Sequence, residues 1–545
     1  MIMNSNSRPH SEALNLLRFP LALVVVLVHV VGAGIPNRES YMETSPPFAE
    51  VLNFIKAFLS GQSVPIYFLI VLMSYLCVLS AHAQRVDMDA LWNINIPVLR
   101  ITTQNGEEPT CDYVHSPGGR SRSIANAVQV PGRMVITQKR DTLYDSGQYA
   151  EGKSGMTIKI RGNTSAYTPK KPFKLKLQKK ADLLFRDSKD YRDKNWVLLK
   201  MGNTLNTAIG NFVNEKTGLR WTPRYQFVNL VINDDYRGLY YLSENVRKSS
   251  TRINVDDTGY IFEYDAYYWK DSLYVKSFFA SNMGYTLKYP EPEEISPAAY
   301  AYFQDMIPQM ERAMVSGKYD EMLNVETFAQ WILAHDILGT DDAFGSNLYF
   351  TKYDPSPNSK IEMANLWDFD SILKTSYDAW GTSHTSGAFF PYYMFRKGDS
   401  MLRHYYYRWR QLQQDDFFLQ LYDFLDSFLS PEVCEDIDKC RQMDAARWGS
   451  RFKAISQEVA DAKTYFANRE VWLTDTIASM GKQLTPRLGD LDNDGLLTTA
   501  DITQPISLYL NHSDTDAVEA FTDITGDGKL TIIDITELIT MFLNQ

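Results

Sequence analysis

The feature that most constrains the fold of this 545-residue chain is a twelve-residue acidic loop that occurs twice near the C-terminus. The first copy is DLDNDGLLTTAD at Asp490–Asp501, and the second is DITGDGKLTIID at Asp523–Asp534. Both copies place oxygen-bearing side chains at loop positions 1, 3, 5, 9 and 12, with a glycine at position 6. Oxygen ligands at this spacing surround a calcium ion, and the glycine permits the sharp turn. The alternative is a pair of acidic turns that bind no metal.

The predicted calcium ligands are the residues at these positions, together with the backbone carbonyl at position 7. They are Asp490, Asp492, Asp494, Leu496, Thr498 and Asp501 in the first loop, and Asp523, Thr525, Asp527, Lys529, Thr531 and Asp534 in the second. The loops differ from most EF-hands in having aspartate at position 12. This difference and the repeated segments ADITQPISLYL and IDITELITMFL make residues 486–545 resemble a dockerin. The resemblance implies a small all-α calcium-binding domain and a cohesin-like protein partner.

Two apolar segments at the N-terminus predict membrane association or export. Residues 14–34 are about long enough to cross a bilayer. Residues 64–79 are followed by Ala81-His82-Ala83, which is a signal-peptidase sequence of the A-x-A kind. Either both segments are membrane helices, or the second belongs to an export signal. Both alternatives send the rest of the chain out of the cytoplasm, to an extracellular, cell-surface or periplasmic location.

The short segments LNLLRF, VVLVH and SVPIYFLI in this region resemble the start of membrane acyltransferases of the acyltransferase-3 family. That family needs many more spanning helices than two, so the resemblance implies a remnant and not an acyltransferase site. We therefore predict three parts of the chain. Residues 1–83 are a transmembrane or signal region with a cleavage point after Ala83, residues 84–480 are the central domain, and residues 486–545 are the calcium-binding domain.

Charge and histidine content argue against two classes of function. The formal net charge is −11 at pH 7, whereas nucleic-acid binding needs a basic footprint. The 8 histidines are scattered along the chain, without the paired spacing of a zinc site.

The central domain contains the motif NLWDFDS at residues 365–371. Its large apolar residues predict a buried strand, on which Asp368 and Asp370 would share one face. Burying two like charges is costly unless something compensates them. A bound cation would supply that compensation.

The segment HDILGTDDAFGSNLYFTKYD, which precedes this motif, contains Asp341, Asp342 and Asn347. Protein kinases also place an aspartate five residues before an asparagine and an Asp-Phe pair on a later strand. The first aspartate orients the acceptor hydroxyl, while the asparagine and the later aspartate hold magnesium on the phosphates. Two adjacent acids compete for the first role, and Asp342 is the one that keeps the spacing of five.

Two strands that carry lysines are predicted earlier in the chain. The preceding sequence GQYAEGKS at Gly147–Ser154 matches the P-loop expression, but its polar and alternating flanks predict a hairpin turn. The predicted strands that follow are Met156–Arg161 and Pro172–Leu177. Lys174 and Lys176 share one face of the second strand, which either faces solvent or brings a lysine to phosphates.

Six motifs in this order resemble the CotH family, the spore-coat-protein-H type of atypical secreted kinase: RGNTSAYTPKKPFKLKL, KNWVLLK, LVINDDYRGLYYLSENV, RINVD, GYIFEYD and WDFD. The resemblance covers about residues 95–475. It implies an α+β fold with a divergent protein-kinase-like two-part core, in which the nucleotide lies between a sheet-rich N-terminal part and a helical C-terminal part. It also implies ATP, Mg²⁺ and phosphoryl transfer to hydroxyl groups of a protein substrate.

The resemblance assigns site residues in three roles. They are Asp342 as the catalytic residue; Asn347, Asp368 and Asp370 as magnesium-binding residues; and Arg161, Lys174, Lys176, Glu215 and Glu244 on the nucleotide side. Glu215 and Glu244 are alternative partners of the lysine, and Asp370 is either a second metal ligand or a structural acid. There is no G-x-G-x-x-G loop, so the nucleotide must be held differently from ordinary kinases.

The stretch from about residue 391 to 480 has apolar residues at three- and four-residue spacing, which predicts helices. Its aromatic run RHYYYRWRQL is predicted to be core and not a sugar-binding platform. The sequence thus predicts an exported atypical protein kinase. The alternative is a catalytically inactive binding protein of a cell surface or a cellulosome-like assembly.

Overall fold

The structure is a computed structural model. It describes residues 88–116, 122–340, 347–375, 389–484, 489–490, 496–510, 524–525 and 529–544. This part of the chain is mixed α+β, as predicted. The predicted membrane and signal segments at residues 14–34 and 64–79 lie outside it. Over the residues that the structure describes, no helix combines the length and the apolarity that a membrane crossing requires.

The strands and helices are numbered separately in chain order. The strands are β1 (Val98–Thr103), β2 (Asp112–His115), β3 (Arg122–Ala125), β4 (Val130–Gln138), β5 (Asp141–Asp145), β6 (Met156–Ile160), β7 (Phe173–Ala181), β8 (Asp193–Leu199), β9 (Tyr225–Ile232), β10 (Asp235–Glu244), β11 (Tyr260–Asp265), β12 (Tyr274–Lys276), β13 (Gly284–Tyr289), β14 (Leu348–Lys352) and β15 (Ile361–Met363). The helices are α1 (Met88–Trp92), α2 (Asn206–Lys216), α3 (Pro297–Ser316), α4 (Val325–Leu338), α5 (Phe389–Met394), α6 (Ser400–Gln414), α7 (Phe417–Asp426), α8 (Pro431–Trp448), α9 (Ile455–Gly481), α10 (Thr499–Leu510) and α11 (Ile532–Leu543).

The first half of the described chain forms a barrel-like sheet. Its eight strands run in the order β1-β9-β10-β8-β7-β6-β4-β5, and β1 also pairs with β4. Seven strands therefore close on themselves, and β5 extends from β4. Side chains alternate along each strand, so residues such as Ile158, Leu175 and Trp196 fill the interior, where each is 0% exposed.

The P-loop-like sequence lies between β5 and β6. Gly147–Ser154 forms a turn that is closed by an isolated antiparallel bridge between Ala150 and Ser154. The strand β6 follows this turn directly, without a helix. The prediction of a hairpin turn is confirmed, and the helix N-terminus that a P-loop needs is not present here.

The second half combines a five-stranded sheet, in the order β12-β13-β11-β14-β15, with the C-terminal helices. The helix α4 lies in its core, where every residue except Glu326 is buried. Helices α5 to α9 confirm the predicted helical stretch. Tyr405 and Trp409 of the aromatic run are 0% and 1% exposed, so this run belongs to the core as predicted.

Several contacts join the barrel-like sheet to the C-terminal helices, and a separate set of hydrogen bonds positions the helix α2. Lys170, before β7, forms a buried ion pair of 2.6 Å with Asp444 of α8. The carboxylate of Glu458 in α9 accepts hydrogen bonds from the Thr204 backbone N–H at 2.7 Å, the Thr204 hydroxyl at 2.9 Å and the Leu205 N–H at 3.1 Å. Because Thr204 and Leu205 immediately precede α2, the C-terminal helices fix where α2 begins.

Candidate active site

A polar cleft lies where the loop after β6 faces strands β11, β13 and β14. Its volume is about 720 Å³. A second cavity of about 480 Å³ adjoins it, because Arg161, Glu263 and Lys288 line both spaces. Each of the two cavities falls in the size range of small-molecule sites.

Cations line the barrel side of this cleft. Lys159 on β6 and Lys174 on β7 are direct cross-strand partners, and Arg161 follows β6. Burial, and next the positive charge of Lys159, lower the pKa of Lys174 to about 8, against the opposing effect of Glu291. Neither lysine ammonium has a hydrogen bond or ion pair among the described residues. Like charges placed opposite each other destabilise a sheet, so this pair favours a bound anion.

The motif NLWDFDS forms the opposite wall of the cleft, but the prediction of a buried strand is wrong. The strand β15 ends at Met363, and residues 365–370 are irregular. Asp368 has a φ of 67°, a left-handed conformation that interrupts strand alternation. Asp368 and Asp370 are both exposed and line the cleft. The desolvation cost that the sequence predicted for them therefore does not arise.

The residues beside Asp368 fix its position. Trp367 and Phe369 are 8% and 6% exposed, so their side chains anchor the segment in the core. The guanidinium of Arg161 lies 5.8 Å from the centroid of the Trp367 ring. Phe369 packs on Gly210 of α2 so closely that a Cβ there would lie 2.1 Å from Phe369 Cδ1. The Asn206 side-chain amide also donates a hydrogen bond of 3.1 Å to the Phe369 carbonyl.

Asn347, the other predicted magnesium ligand that the structure describes, lines the same cleft as Asp368. Its φ is 70°, so both residues adopt the left-handed conformation that is uncommon outside glycine and recurs at functional sites. The Asn347 backbone N–H donates a hydrogen bond of 3.3 Å to Glu263 Oε1. The structure thus brings the predicted metal ligands to one cleft.

A buried pair of acids on one strand does exist, but it is Glu263 and Asp265 on β11, which are 8% and 7% exposed. Lys288 Nζ lies 3.2 Å from Glu263 Oε2 and 2.8 Å from Asp271 Oδ2. Burial, and next the charge of Glu263, raise the pKa of Asp265 to about 7. Burial alone would lower the pKa of Lys288, but Glu263 and Asp271 outweigh it and raise that pKa. The alternation argument applied to the motif GYIFEYD would have identified this pair.

Three predicted nucleotide-side residues, Glu215, Glu244 and Lys176, line neither cavity. Glu215 of α2 pairs with Arg224 at 2.7 Å. Glu244 at the end of β10 is 1% exposed and pairs with Arg186 at 3.0 Å. Lys176 is exposed on β7 and lines neither cavity. In the described structure each glutamate thus pairs with an arginine, and neither forms an ion pair with Lys174.

Other predicted residues lie outside the described part of the chain. They are Asp341, Asp342, Asp492, Asp494, Asp523 and Asp527. Where the chain is described, no three His, Cys, Asp or Glu side chains are placed to hold a metal ion. The roles of the predicted magnesium and calcium ligands thus stay predictions.

The described parts of the two C-terminal loops share one hydrogen-bond pattern. In the first loop the Thr498 N–H and hydroxyl donate to Asp501 at 2.6 and 3.0 Å. In the second the Thr531 N–H and hydroxyl donate to Asp534 at 2.7 Å each. Burial opposes ionisation of Asp534, but hydrogen bonds from Thr525 and Thr531 lower its pKa to about 2.

A family model described as CotH kinase protein matches residues 158–473. Because this match covers more than half of the chain, the chain belongs to the CotH kinase family, and the predicted family is confirmed. Family membership points to a kinase-like protein and to the use of ATP and a divalent metal. A search of curated proteins found no match.

Sequence reasoning did not assign several charged residues that the cleft contains: Lys159, Lys200, Asp265, Asp271 and Lys288. Two of them lie inside motifs quoted above, Lys200 in KNWVLLK and Asp265 in GYIFEYD. Lys159 could have been found from the strand pattern, since it alternates with Ile158 and Ile160. Asp271 and Lys288 carry no comparable local signal.

Proposed function

We propose that this chain is an exported atypical protein kinase that transfers the γ-phosphoryl group of ATP to protein hydroxyl groups with Mg²⁺. The observation that carries the proposal is the distribution of charge across one cleft. Lys159, Arg161 and Lys174 stand on the barrel side, whereas Asn347 and Asp368 stand on the other. Phosphates need cations, and a magnesium ion needs hard oxygen ligands. Export rests on the apolar N-terminal segments.

The adjoining cavity of about 480 Å³ suits the base and sugar of the nucleotide. Its apolar lining includes Val197, Val246, Leu287 and Tyr289. The unpartnered ammonium of Lys174 faces the same space and suits the phosphates. ATP thus fits because one end of the continuous cleft is apolar and suits the base and sugar, and the other end is cationic and suits the phosphates.

Asn347 and Asp368 would hold the metal, which neutralises phosphate charge when it is bound. Few protein ligands suffice, because magnesium keeps several of its waters. Asp342 would orient the acceptor hydroxyl, as the kinase spacing predicts. Buried Trp367 and Phe369 hold Asp368 in place, which is the preorganisation that phosphoryl transfer requires.

The test compares transfer of labelled phosphate from ATP by the wild type with that by Asp368→Asn and Asp342→Asn. Each substitution should lower the rate by about 100-fold or more, because a transition-state contact is lost. The control is Asp187→Asn, an exposed aspartate outside the cleft, which should retain the wild-type rate.

Thermal unfolding gives a second readout that needs no acceptor. ATP with Mg²⁺ should raise the unfolding temperature of the wild type, and ATP with EDTA should not. Equal behaviour of the wild type, Asp368→Asn and Asp342→Asn in the two assays would disprove the kinase function. It would instead favour a catalytically inactive binding protein.

The proposal includes a calcium-dependent dockerin-like module at residues 486–545 that docks onto a cohesin-like protein. Its support is the repeated loop sequence and the equivalent threonine-to-aspartate hydrogen bonds at loop positions 9 and 12. Calcium added to the full chain should change its unfolding profile. The double variant Asp501→Asn/Asp534→Asn should weaken that response, and a wild type indifferent to calcium would refute the module.

A further inference from the structure

Lys200 follows β8 and lies where two spaces meet. It lines the main cleft of about 720 Å³. It also lines a smaller cavity of about 50 Å³ beside Asp368 and Asp370. Lys159 and Lys174, which are on strands β6 and β7, do not line this smaller cavity. Lys200 is therefore the lysine on the side of the predicted metal ligands.

The charge environment of Lys200 differs from that of Lys170 and Lys171, two lysines close enough to it for their charges to interact. Burial lowers the pKa of Lys200, and the carboxylates of Asp370 and Asp368 act against this effect. Lys170 forms an ion pair with Asp444. The Lys171 ammonium donates hydrogen bonds to the Tyr113 hydroxyl and to a backbone carbonyl. The acids of the cleft therefore favour the charged form of Lys200, whereas Lys170 and Lys171 serve the fold.

The Lys200 ammonium is not saturated with hydrogen bonds. It donates one, of 2.8 Å, to Thr168 Oγ1. An ammonium carries three donors, so two remain without a partner among the described residues. Thr168 ends the loop whose residues Gly162–Ser165 line the cleft. This contact fixes the direction of the lysine side chain and leaves its other donors facing the cleft.

We propose that Lys200 is a further catalytic residue, whose two unpartnered donors bind the phosphoryl group that is transferred. This inference rests on the proposed kinase function. In the reaction a bond forms between the acceptor oxygen and the γ-phosphorus, while the bond from that phosphorus to the oxygen of the nucleoside diphosphate breaks. The hydroxyl proton leaves to the base beside the acceptor. Negative charge is spread over the transferred group during this exchange, and a fixed ammonium stabilises it.

The first experiment measures binding, which does not depend on turnover. The affinities of the wild type and Lys200→Met are measured by calorimetry for Mg·ADP and for Mg·AMP-PNP, which retains a third phosphoryl group. Lys200→Met should weaken AMP-PNP binding by about tenfold or more, since a charged hydrogen bond is lost. Its affinity for ADP should stay within about twofold, and Lys200→Arg should recover part of the difference.

The second experiment measures the rate of labelled phosphate transfer, which should fall by about 100-fold or more in Lys200→Met. The matched control is Lys194→Met, on the strand β8 that Lys200 follows and lining neither cavity, which should behave as the wild type in both experiments. Unfolding temperatures of all variants check that they fold.

The outcomes separate the inference from the function on which it rests. A wild type that binds neither nucleotide contradicts the kinase function and the role of Lys200 with it. If the wild type binds both nucleotides but Lys200→Met weakens them equally, or weakens neither, the role of Lys200 is wrong and the kinase function stands.

Discussion

At the scale of single residues, Lys174 is the group whose protonation should report nucleotide binding. Its pKa of about 8 reflects burial and the neighbouring charge of Lys159, so at pH 8.5 most of it is neutral in the free protein. A bound polyphosphate stabilises the ammonium and raises this pKa. Binding of Mg·ADP at pH 8.5 should therefore take up most of one proton, and its affinity should fall as the pH rises above 8.

Calorimetry in two buffers of different ionisation enthalpy measures this uptake. Lys174→Met should abolish it, and Lys176→Met should not, because Lys176 lies on the same strand but is exposed and outside both cavities. Proton uptake that survives in Lys174→Met would assign the titration to another group.

Several site residues could be read from the sequence because their signals are local. The alternation of side chains along a strand correctly places Lys174 and Lys176 on one face of β7. The kinase-like spacing in the sequence singled out Asn347 and Asp368, which line one cleft in the structure. The error at NLWDFDS arises because nothing in its composition signals the left-handed φ of Asp368. The ion pair that holds Glu244 could not be inferred, since its partner Arg186 belongs to a separate loop.

At the scale of elements, α2 controls the position of the Asp368 loop through the contact between Gly210 and Phe369. In Gly210→Ala the new Cβ would lie 2.1 Å from Phe369 Cδ1, so the ring and the adjoining Asp368 must move. Alanine itself favours a helix over glycine by about 1 kcal/mol. We therefore expect this variant to remain folded but to lose at least about tenfold in Mg²⁺-dependent nucleotide affinity.

The measurement is the rise in unfolding temperature caused by ATP with Mg²⁺. Gly202→Ala is the control, because a Cβ at Gly202 meets no atom within 4 Å, and it should keep the wild-type response. The double variant Gly210→Ala/Phe369→Leu should recover part of the loss by relieving the clash. A full response from Gly210→Ala alone would show that this contact does not position Asp368.

At the scale of the whole molecule, a buried histidine on the helix α4 makes the free energy of unfolding depend on pH. His335 is entirely buried, and burial lowers its pKa to about 3. The unfolded state therefore binds more protons than the folded state between about pH 3 and 6.5. The free energy of unfolding should decrease as the pH falls below 6.5, by about 1.4 kcal/mol per pH unit from this residue.

Urea unfolding at pH 7 and pH 5 tests this dependence. Between these values the wild type should lose about 2 kcal/mol more than His335→Gln does. His115→Gln replaces an exposed histidine on β2 and should lose as much as the wild type. If His335→Gln retains the full wild-type loss, the acid sensitivity comes from other groups.

The arrangement of the whole chain was only partly predictable. The α+β class follows from the resemblance to the CotH family, and the helical C-terminal part follows from local periodicity, which a single sequence records. The pairing of β1 with β4 and the ion pair between Lys170 and Asp444 join distant segments, and their registers depend on packing across the molecule. Glu458 likewise fixes the start of α2 from a helix more than two hundred residues away.

The pairing of β1 with β4 has a consequence for how this protein meets other chains. Unpaired strand edges are templates on which further strands add, and closure removes them. In the described part of this sheet the open edge belongs to β5, a strand of only five residues. A short edge offers few unpaired groups to another strand, so the topology of the barrel-like sheet protects it against aggregation.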